Sequence, residues 1–437
     1  MAGLNIYSMN TLANELNTLL DGTVVGRLLS DLGRRLYFPK GIIAQGAEAK
    51  KFAPAKNGTI GMAFHNGEPL ILSAIAEGMP TLSAKEAVTY APTAGIEEVR
   101  KAWKEAIAQK NPSIKPDSIS LPAVVPGLSA GISYTADLFF GPGATLIASD
   151  PCWDNYSLIF EDRRDAKIRL VPFLGNGPGL DLDAIGKAVR EEAKTGSVRI
   201  ILNFPNNPAG YSPTRAEADT LVNLIRETAE GGADVMVICD DAYFGLFFED
   251  DIYRESLFGR LSVLHERVLA IKIDGPTKED FAWGLRTAFV TFGCPGLKPE
   301  HYDALGKKLM GTIRSSVSCS NTPAQYLLIK SLADPRSAGE KKANFELLRG
   351  RYRAVKDFLQ KNPNHPKLTP MPFNSGYFMS FRCKGIDAEA LRKRLLSDCA
   401  IGTIALGAEI FRVAFSPLEE EQIPEIFGTI YKTAAEM

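Results

Sequence analysis

Four short apolar runs separated by helical patterns constrain this chain more than any other feature. Ala144-Thr-Leu-Ile-Ala148, Val198-Arg-Ile-Ile-Leu202, Val235-Met-Val-Ile-Cys239 and Val268-Leu-Ala-Ile-Lys-Ile273 read as strands, and three of them are nearly continuous in apolar residues. A strand covered on both faces needs that continuity, whereas a strand with one wet face alternates. Helix signals lie between the runs. Thr214 with Glu217 forms a capping box ahead of Leu221, Leu224 and Ile225. The alternation predicts an α/β fold: a large doubly wound, mostly parallel sheet over roughly residues 70–317. The C-terminal part changes character. Tyr377–Phe381 and Glu409–Phe415 read as strands, and 387–397 and 419–436 as helices. These predict a smaller α+β domain over 318–437, and residues 1–69, which carry fewer signals, are grouped with it.

Composition closes off several classes. The 437 residues hold 50 Lys plus Arg against 51 Asp plus Glu, a net charge of −1, so no nucleic-acid or anionic-membrane surface is expected. No apolar stretch approaches the length of a membrane span. Met1–Ser8 lacks a basic leader followed by an apolar core, so no secretory signal is expected. The six cysteines (152, 239, 294, 319, 383, 399) include no CxxC pair. They read as reduced, mostly buried thiols with no structural metal site, in a cytoplasmic protein.

In an open parallel sheet, ligands bind beyond the carboxyl ends of the strands. Strand 198–202 runs into Asn203-Phe-Pro-Asn-Asn-Pro-Ala-Gly210, strand 235–239 into Asp240-Asp-Ala-Tyr243, and strand 268–273 into the loop bearing Lys278. Three successive strand ends thus present an amide, a carboxylate with a phenol, and an amine. Arg286 follows Lys278 by eight residues. Gly127-Leu-Ser-Ala-Gly-Ile132 opens a helix whose first N–H groups, at Leu128 and Ser129, make an anion cradle together with the Ser129 hydroxyl.

This set suits pyridoxal 5′-phosphate (PLP). Lys278 would bind the aldehyde as a Schiff base and act as general base and acid. Asp240 would keep the pyridine nitrogen protonated. Asn207 and Tyr243 would reach the phenolic oxygen, Arg286 would balance the phosphate, and Trp153 would stack on the ring.

The chain resembles the fold-type I, class I/II aminotransferase superfamily, the aspartate aminotransferase-like enzymes. The matching pieces are Tyr90-Ala-Pro-Thr-Ala-Gly95, Gly127–Ile132, Asp150-Pro-Cys-Trp153, Asn207-Pro-Ala-Gly210, Asp240-Asp-Ala-Tyr243, Lys278 through Arg286, and Phe411-Arg-Val-Ala-Phe415. The resemblance implies a PLP domain, a small domain built from both chain ends, and a homodimer acting on amino acids and 2-oxo acids. It implies that Arg412 grips the substrate α-carboxylate, that Tyr90 faces the other subunit's phosphate, and that Gly61 lies near the substrate.

The chain departs from the family in one instructive place. The usual serine three residues before the lysine is Gly275 here, which leaves Ser129, Arg286 or Thr277 to serve the phosphate. Taken singly, each piece has a plainer reading. Lys278 could be a loop lysine, Asn203–Gly210 a turn, Trp153 core, Arg412 a structural arginine, and His65 a surface turn. Lys272 reads as an edge or snorkelling lysine. Asp241 is a weaker candidate than Asp240. Phe64, Phe281, Trp283 and Tyr377 are candidates for an apolar substrate pocket. The expected activity is transamination by a ping-pong cycle. The alternatives are a β-lyase, which would need no acceptor, and a non-catalytic PLP-binding regulator, which would need a DNA-binding domain.

Overall fold

The computed structural model describes residues 10–21, 23, 29, 31–35, 41–174 and 177–437, so Met1–Ser8 lies outside the described residues. The large sheet has seven strands: β1 (Ala123–Val125), β2 (Thr145–Ser149), β3 (Lys167–Val171), β4 (Ser197–Asn203), β5 (Asp234–Asp240), β6 (Val268–Asp274) and β7 (Ala288–Gly293). Their order is β1-β7-β6-β5-β4-β2-β3, and β7 alone runs antiparallel to its neighbours. All four expected strands are present. The pieces not anticipated are β1, β3 and β7, of which β1 is only three residues long and β3 carries the charged Lys167 and Arg169.

Both faces of this sheet are covered, as the apolar runs require. On one face Val198, Ile200, Leu202, Val235, Val237, Val268 and Ala270 meet helices Glu97–Lys110, Leu182–Ala193 and Arg215–Glu230. On the other, Ile201, Met236, Ile238, Ile271 and Ile273 meet helices Leu128–Phe139 and Pro299–Ser316. The Thr214–Glu217 capping box forms as read.

A second, antiparallel sheet comprises β8 (Leu368–Pro370), β9 (Phe378–Cys383), β10 (Ile404–Leu406) and β11 (Ile410–Ala414), in the order β8-β9-β11-β10. Helices Arg336–Lys361, Ala388–Cys399 and Ile423–Ala435 share its core. The last helix starts at 423 rather than 419, after a 3₁₀ turn at Glu420–Gln422. The segment before Gly61 joins this sheet: Gly58 N donates to Gly402 O and Ala414 N to Gly58 O, both at 2.8 Å.

The two sheets are sewn together at the end of β4. Asn374 N and Ser375 N each donate to Gly210 O at 2.9 Å, and Ser380 Oγ donates to Pro208 O. Gly210 has φ +79°, and a Cβ there would lie 2.0 Å from Phe378 O. Only glycine meets both demands.

Two expectations are corrected. Only Cys239 and Cys294 are buried, and the other four thiols are partly exposed. Lys272 is neither at an edge nor snorkelling: it sits on a central strand, 1% exposed. Residues alternate faces along a strand, so Lys272 and Asp274 point to the side of helix Glu97–Lys110, as does Asp241. There Lys272 Nζ pairs with Asp241 and lies 3.4 Å from Asp274, whose Oδ1 accepts from Trp103 Nε1 at 2.9 Å. Burial alone would discharge the ammonium, but the two carboxylates outweigh it and hold Lys272 above the ordinary lysine range. Lys272→Met would leave both carboxylates buried without a counter-charge. It is expected to destabilise the protein by about 3–5 kcal/mol in denaturant titration, and an unchanged midpoint would show that the ion cluster contributes nothing to stability.

Candidate active site

The ends of β4, β5 and β6 open onto a cavity of about 110 Å³, lined by Leu128, Ser129, Ile132, Trp153, Asn203, Asn207, Asp240, Ala242, Tyr243 and Lys278. The structure therefore brings together the amide, carboxylate, phenol and amine read from the sequence. Strand register does this. Asn203 lies opposite Asp240, and Asp240 opposite Ile273, with Lys278 on the turn Pro276–Glu279 just beyond.

Asp240 is 3% exposed. Its Oδ2 accepts from Tyr156 Oη at 2.5 Å, while Oδ1 is buried with no partner among the described residues. Burial pushes its carboxyl up to about 6, against the pull of the Tyr156 hydrogen bond and the Lys278 charge. The neighbouring Asp241 faces away toward Lys272, so the two acids serve opposite sides of the sheet. Asn203 Nδ2 donates to Asp240 O, and Asn203 Oδ1 accepts from Asn207 N, each at 2.8 Å. The sequence assigns no role to Tyr156, three residues beyond Trp153, or to Asn203, at the start of the Asn203–Gly210 segment.

The Lys278 ammonium sits 4.5 Å from the centre of the Tyr243 ring. Burial draws the amine down from its ordinary value to about 8; Asp240 opposes this and Arg286 adds to it. A lysine so shifted is largely neutral, and hence nucleophilic, above pH 8. Tyr377 is not a pocket wall as expected. It is fully buried behind this turn, where its Oη donates to Lys278 O at 3.3 Å.

Helix Leu128–Phe139 starts at Gly127, which has φ +90° and no side-chain cap. A Cβ on Gly127 would sit 2.3 Å from Arg286 Nη2, so the absent side chain is what admits the guanidinium to the helix start. Together they make a cradle of N–H donors and positive charge. Thr277 is buried and its Oγ1 has no partner among the described residues.

Arg412, on β11, is 2% exposed. Its Nη1 donates to Asn207 Oδ1 at 2.9 Å and its Nη2 to Thr59 O at 3.4 Å, while Nε has no partner among the described residues. The guanidinium lies 4.3 Å from the centre of the Phe378 ring. The other buried cations, Arg164, Lys272, Arg351 and Arg392, each have a carboxylate within 4 Å. Among the described residues Arg412 has none. Burial lowers it to about 10, with Tyr243 and Asp154 opposing. Gly61 packs beside this group: a Cβ there would lie 3.8 Å from Phe378 Cζ and 3.9 Å from Tyr243 Oη.

Tyr90 is not brought to the cavity and stands 92% exposed. His65 is exposed on the short hairpin strand Phe64–His65, just before the turn at Asn66-Gly67, and lies 3.1 Å from Glu419 Oε2.

The sequence profile described as "Aminotransferase class I and II" matches residues 61–430, and the chain belongs to that family. Its members depend on PLP and transfer amino groups between amino acids and 2-oxo acids. The chain is 26% identical over 368 residues to the probable aspartate/prephenate aminotransferase of Aquifex aeolicus, covering 80% of this chain and 84% of the relative. It is 24% identical over 334 residues to the aspartate/prephenate aminotransferase of Thermus thermophilus, covering 75% and 78%. In fold it is similar to the crystal structure of an aminotransferase from Anaerococcus prevotii, with a TM-score of 0.81, 22% identity, and coverage of 91% of this chain and 97% of that one.

The departure at Gly275 now has a physical reason. A Cβ there would lie 2.8 Å from Thr287 O and 2.9 Å from Ala288 Cα, both backbone atoms on the way into β7. Gly275→Ser would therefore overpack this junction and is expected to destabilise the protein by about 1–3 kcal/mol. Denaturant unfolding of the variant tests this; wild-type stability would show that the backbone can yield there.

Proposed function

We propose that the chain transfers an amino group from an α-amino acid to a 2-oxo acid at this cavity, with Lys278 as the reactive amine. The observation that carries the reading is Arg412, a buried guanidinium that has no carboxylate partner among the described residues and is held beside Asn207. A buried cation without a counter-ion is costly, and the α-carboxylate of an amino acid would satisfy it through two parallel hydrogen bonds. The amide oxygen of Asn207 is engaged by Arg412, which leaves its NH₂ donors for the ring oxygen of the cofactor.

The residues present fit PLP. The partnerless Asp240 Oδ1 suits a protonated ring nitrogen, and the Gly127–Ser129 helix start with Arg286 suits a phosphate. The Thr277 hydroxyl is a further donor in place of the serine that Gly275 lacks. Trp153 and Tyr243 supply aromatic faces. When bound, PLP supplies an aldehyde that takes the amino group and a ring that takes up the electron pair left at the substrate Cα.

The protein's own groups do the rest. Arg412 orients the substrate by its α-carboxylate, with Gly61 leaving room beside Tyr243. Lys278 Nζ would hold the aldehyde of the cofactor and, as a free amine, would serve as base and acid for the proton at the substrate Cα. Asp240, whose ionised form is favoured by Tyr156, would balance positive charge on the ring. Amino acid and 2-oxo acid use one site in turn, which is a ping-pong cycle.

The names of the relatives above point to aspartate and prephenate as substrates to try, and the Trp153, Tyr243 and Phe378 rings support apolar or aromatic side chains as well. A homodimer is part of the proposal. Met79, Val88 and Tyr90 are exposed along one segment, and Tyr90 would complete the partner's phosphate site. Six cysteines without a disulfide support a reducing, cytoplasmic setting. Among the described residues no helix is long and apolar enough to cross a membrane.

A panel of amino acids with and without 2-oxoglutarate tests the activity. Product is expected only with the acceptor, and ammonia released without it would overturn transamination. In the same assay Lys278→Ala is expected to lose the cofactor-bound absorbance band and to slow turnover by about 10²–10⁴-fold; an unchanged spectrum would sink the lysine assignment. Arg412→Lys keeps the charge but loses the planar fork. Its kcat/KM is expected to fall roughly 10- to 100-fold, mainly through KM, as loss of one charged hydrogen bond implies. A KM within twofold of wild type would remove Arg412 from substrate binding.

A further inference from the structure

The two residues after Lys278 are both acids, Glu279 and Asp280, and neither enters the cavity. Asp280 caps the four-residue helical turn Pro276–Glu279 and is 1% exposed, an unusual place for a carboxylate. Its counter-charge is the ammonium of Lys341, which is only 26% exposed and stands on helix Arg336–Lys361. No other hydrogen-bond donor among the described residues reaches either carboxylate oxygen. Glu279 is paired separately: its Oε2 lies 2.7 Å from Lys110 Nζ, at the end of helix Glu97–Lys110. The backbone of the turn is also gripped, since Asp280 N donates to Pro276 O and Tyr377 Oη to Lys278 O.

The two ion pairs end on different helices. Lys110 belongs to the layer covering the large sheet. Helix Arg336–Lys361 contributes Leu348, Tyr352 and Val355 to the core of the small domain and packs on helix Ile423–Ala435. Through Asp280, the position of the Lys278 turn is therefore tied to the small domain, the same domain that supplies Arg412. Burial pushes the Asp280 carboxyl up, Lys341 draws it back most strongly, and the more distant Lys110 adds a smaller pull.

We propose that Asp280 is a positioning residue for Lys278: its ion pair with Lys341 anchors the turn so that the amine is presented to the cavity and not to water. A buried carboxylate that loses its counter-ion must move toward solvent or take up a proton, and either would release the turn. The inference rests on the reading of Lys278 as the reactive amine, but it can be tested without turnover. The groups that face the Lys278 amine are Asp240 at the end of β5, Tyr243 beyond it, and Arg286 after the turn. None is altered in the variants below.

The test is competitive acetylation of the cofactor-free protein across a pH series, read at Lys278 by mass spectrometry. In the wild type the labelling midpoint is expected at about 8. In Asp280→Asn and in Lys341→Met it is expected to rise toward the ordinary lysine value of about 10.4 as water reaches the amine, while Lys341→Arg is expected to keep the wild-type midpoint. Lys341 is partly exposed, so its variants are the safer arm if Asp280→Asn folds poorly. Arg392→Met serves as the control, because it breaks a buried ion pair on helix Ala388–Cys399 and is expected to lower stability without moving the Lys278 midpoint. An unmoved midpoint in Lys341→Met, whatever its thermal stability, overturns the positioning role. A wild-type spectrum in Lys278→Ala would overturn the reading of the amine, so the two failures are distinguishable.

Discussion

The site depends on the register between three neighbouring parallel strands. Asn203 pairs with Asp240 and Asp240 with Ile273, so β4, β5 and β6 end level with one another. Side chains alternate with a period of two, and a slip of one residue between β4 and β5 would send Asn203 to the opposite face from Asp240. The apolar residues before these ends enforce the register. Ile201, Ile238 and Ile271 must face the helix Leu128–Phe139 layer, while Leu202, Cys239 and Ala270 face the other. The same packing that stabilises the sheet therefore aims Asp240 at the cavity and Asp241 at Lys272.

That alternation also separates two lysines that look alike in composition. Lys272 meets two carboxylates and stays charged, and it locks the sheet. Lys278 lies six residues on, where burial outweighs its one facing carboxylate, and it is drawn toward neutrality. An amine proposed to attack an aldehyde must be available without its proton, and an amine that holds two strands must keep it. The chain achieves both by the number of acids supplied to each.

Much of the fold was legible because buried parallel strands leave an unmistakable apolar pattern, and because polar residues at their ends have few reasons to be there except a ligand. Lys278, Asp240, Asn207 and Tyr243 could be named on that logic. What escaped was set by contacts between residues far apart in the chain. Tyr156 meets Asp240 across 84 positions, and Asp280 meets Lys341 on a helix far along the chain. No local pattern records such a pairing. Lys272 was misread for the opposite reason: a charge inside an apolar run suggests an edge, unless one knows that Asp241 and Asp274 arrive on the same face. Tyr377, read as a pocket wall, proved to brace the back of the lysine turn because only the small domain's position decides which way it faces.

Two groups in the site remain incomplete while their surroundings are satisfied. Among the described residues, Asp240 has one oxygen bonded to Tyr156 and one without a partner, and Arg412 has two donors engaged by amide oxygens and Nε unmet. Burying such groups works against stability, and a fold selected for stability alone would have paired them as it paired Arg351 with Glu419 and Arg392 with Glu48. Asn207 lies between them, with its oxygen turned to Arg412 and its backbone tied through Asn203 to the strand that carries Asp240. An acceptor and a donor left open on either side of one fixed amide describe a ligand with a cationic end and an anionic end. A protonated pyridine ring joined to an amino acid has both.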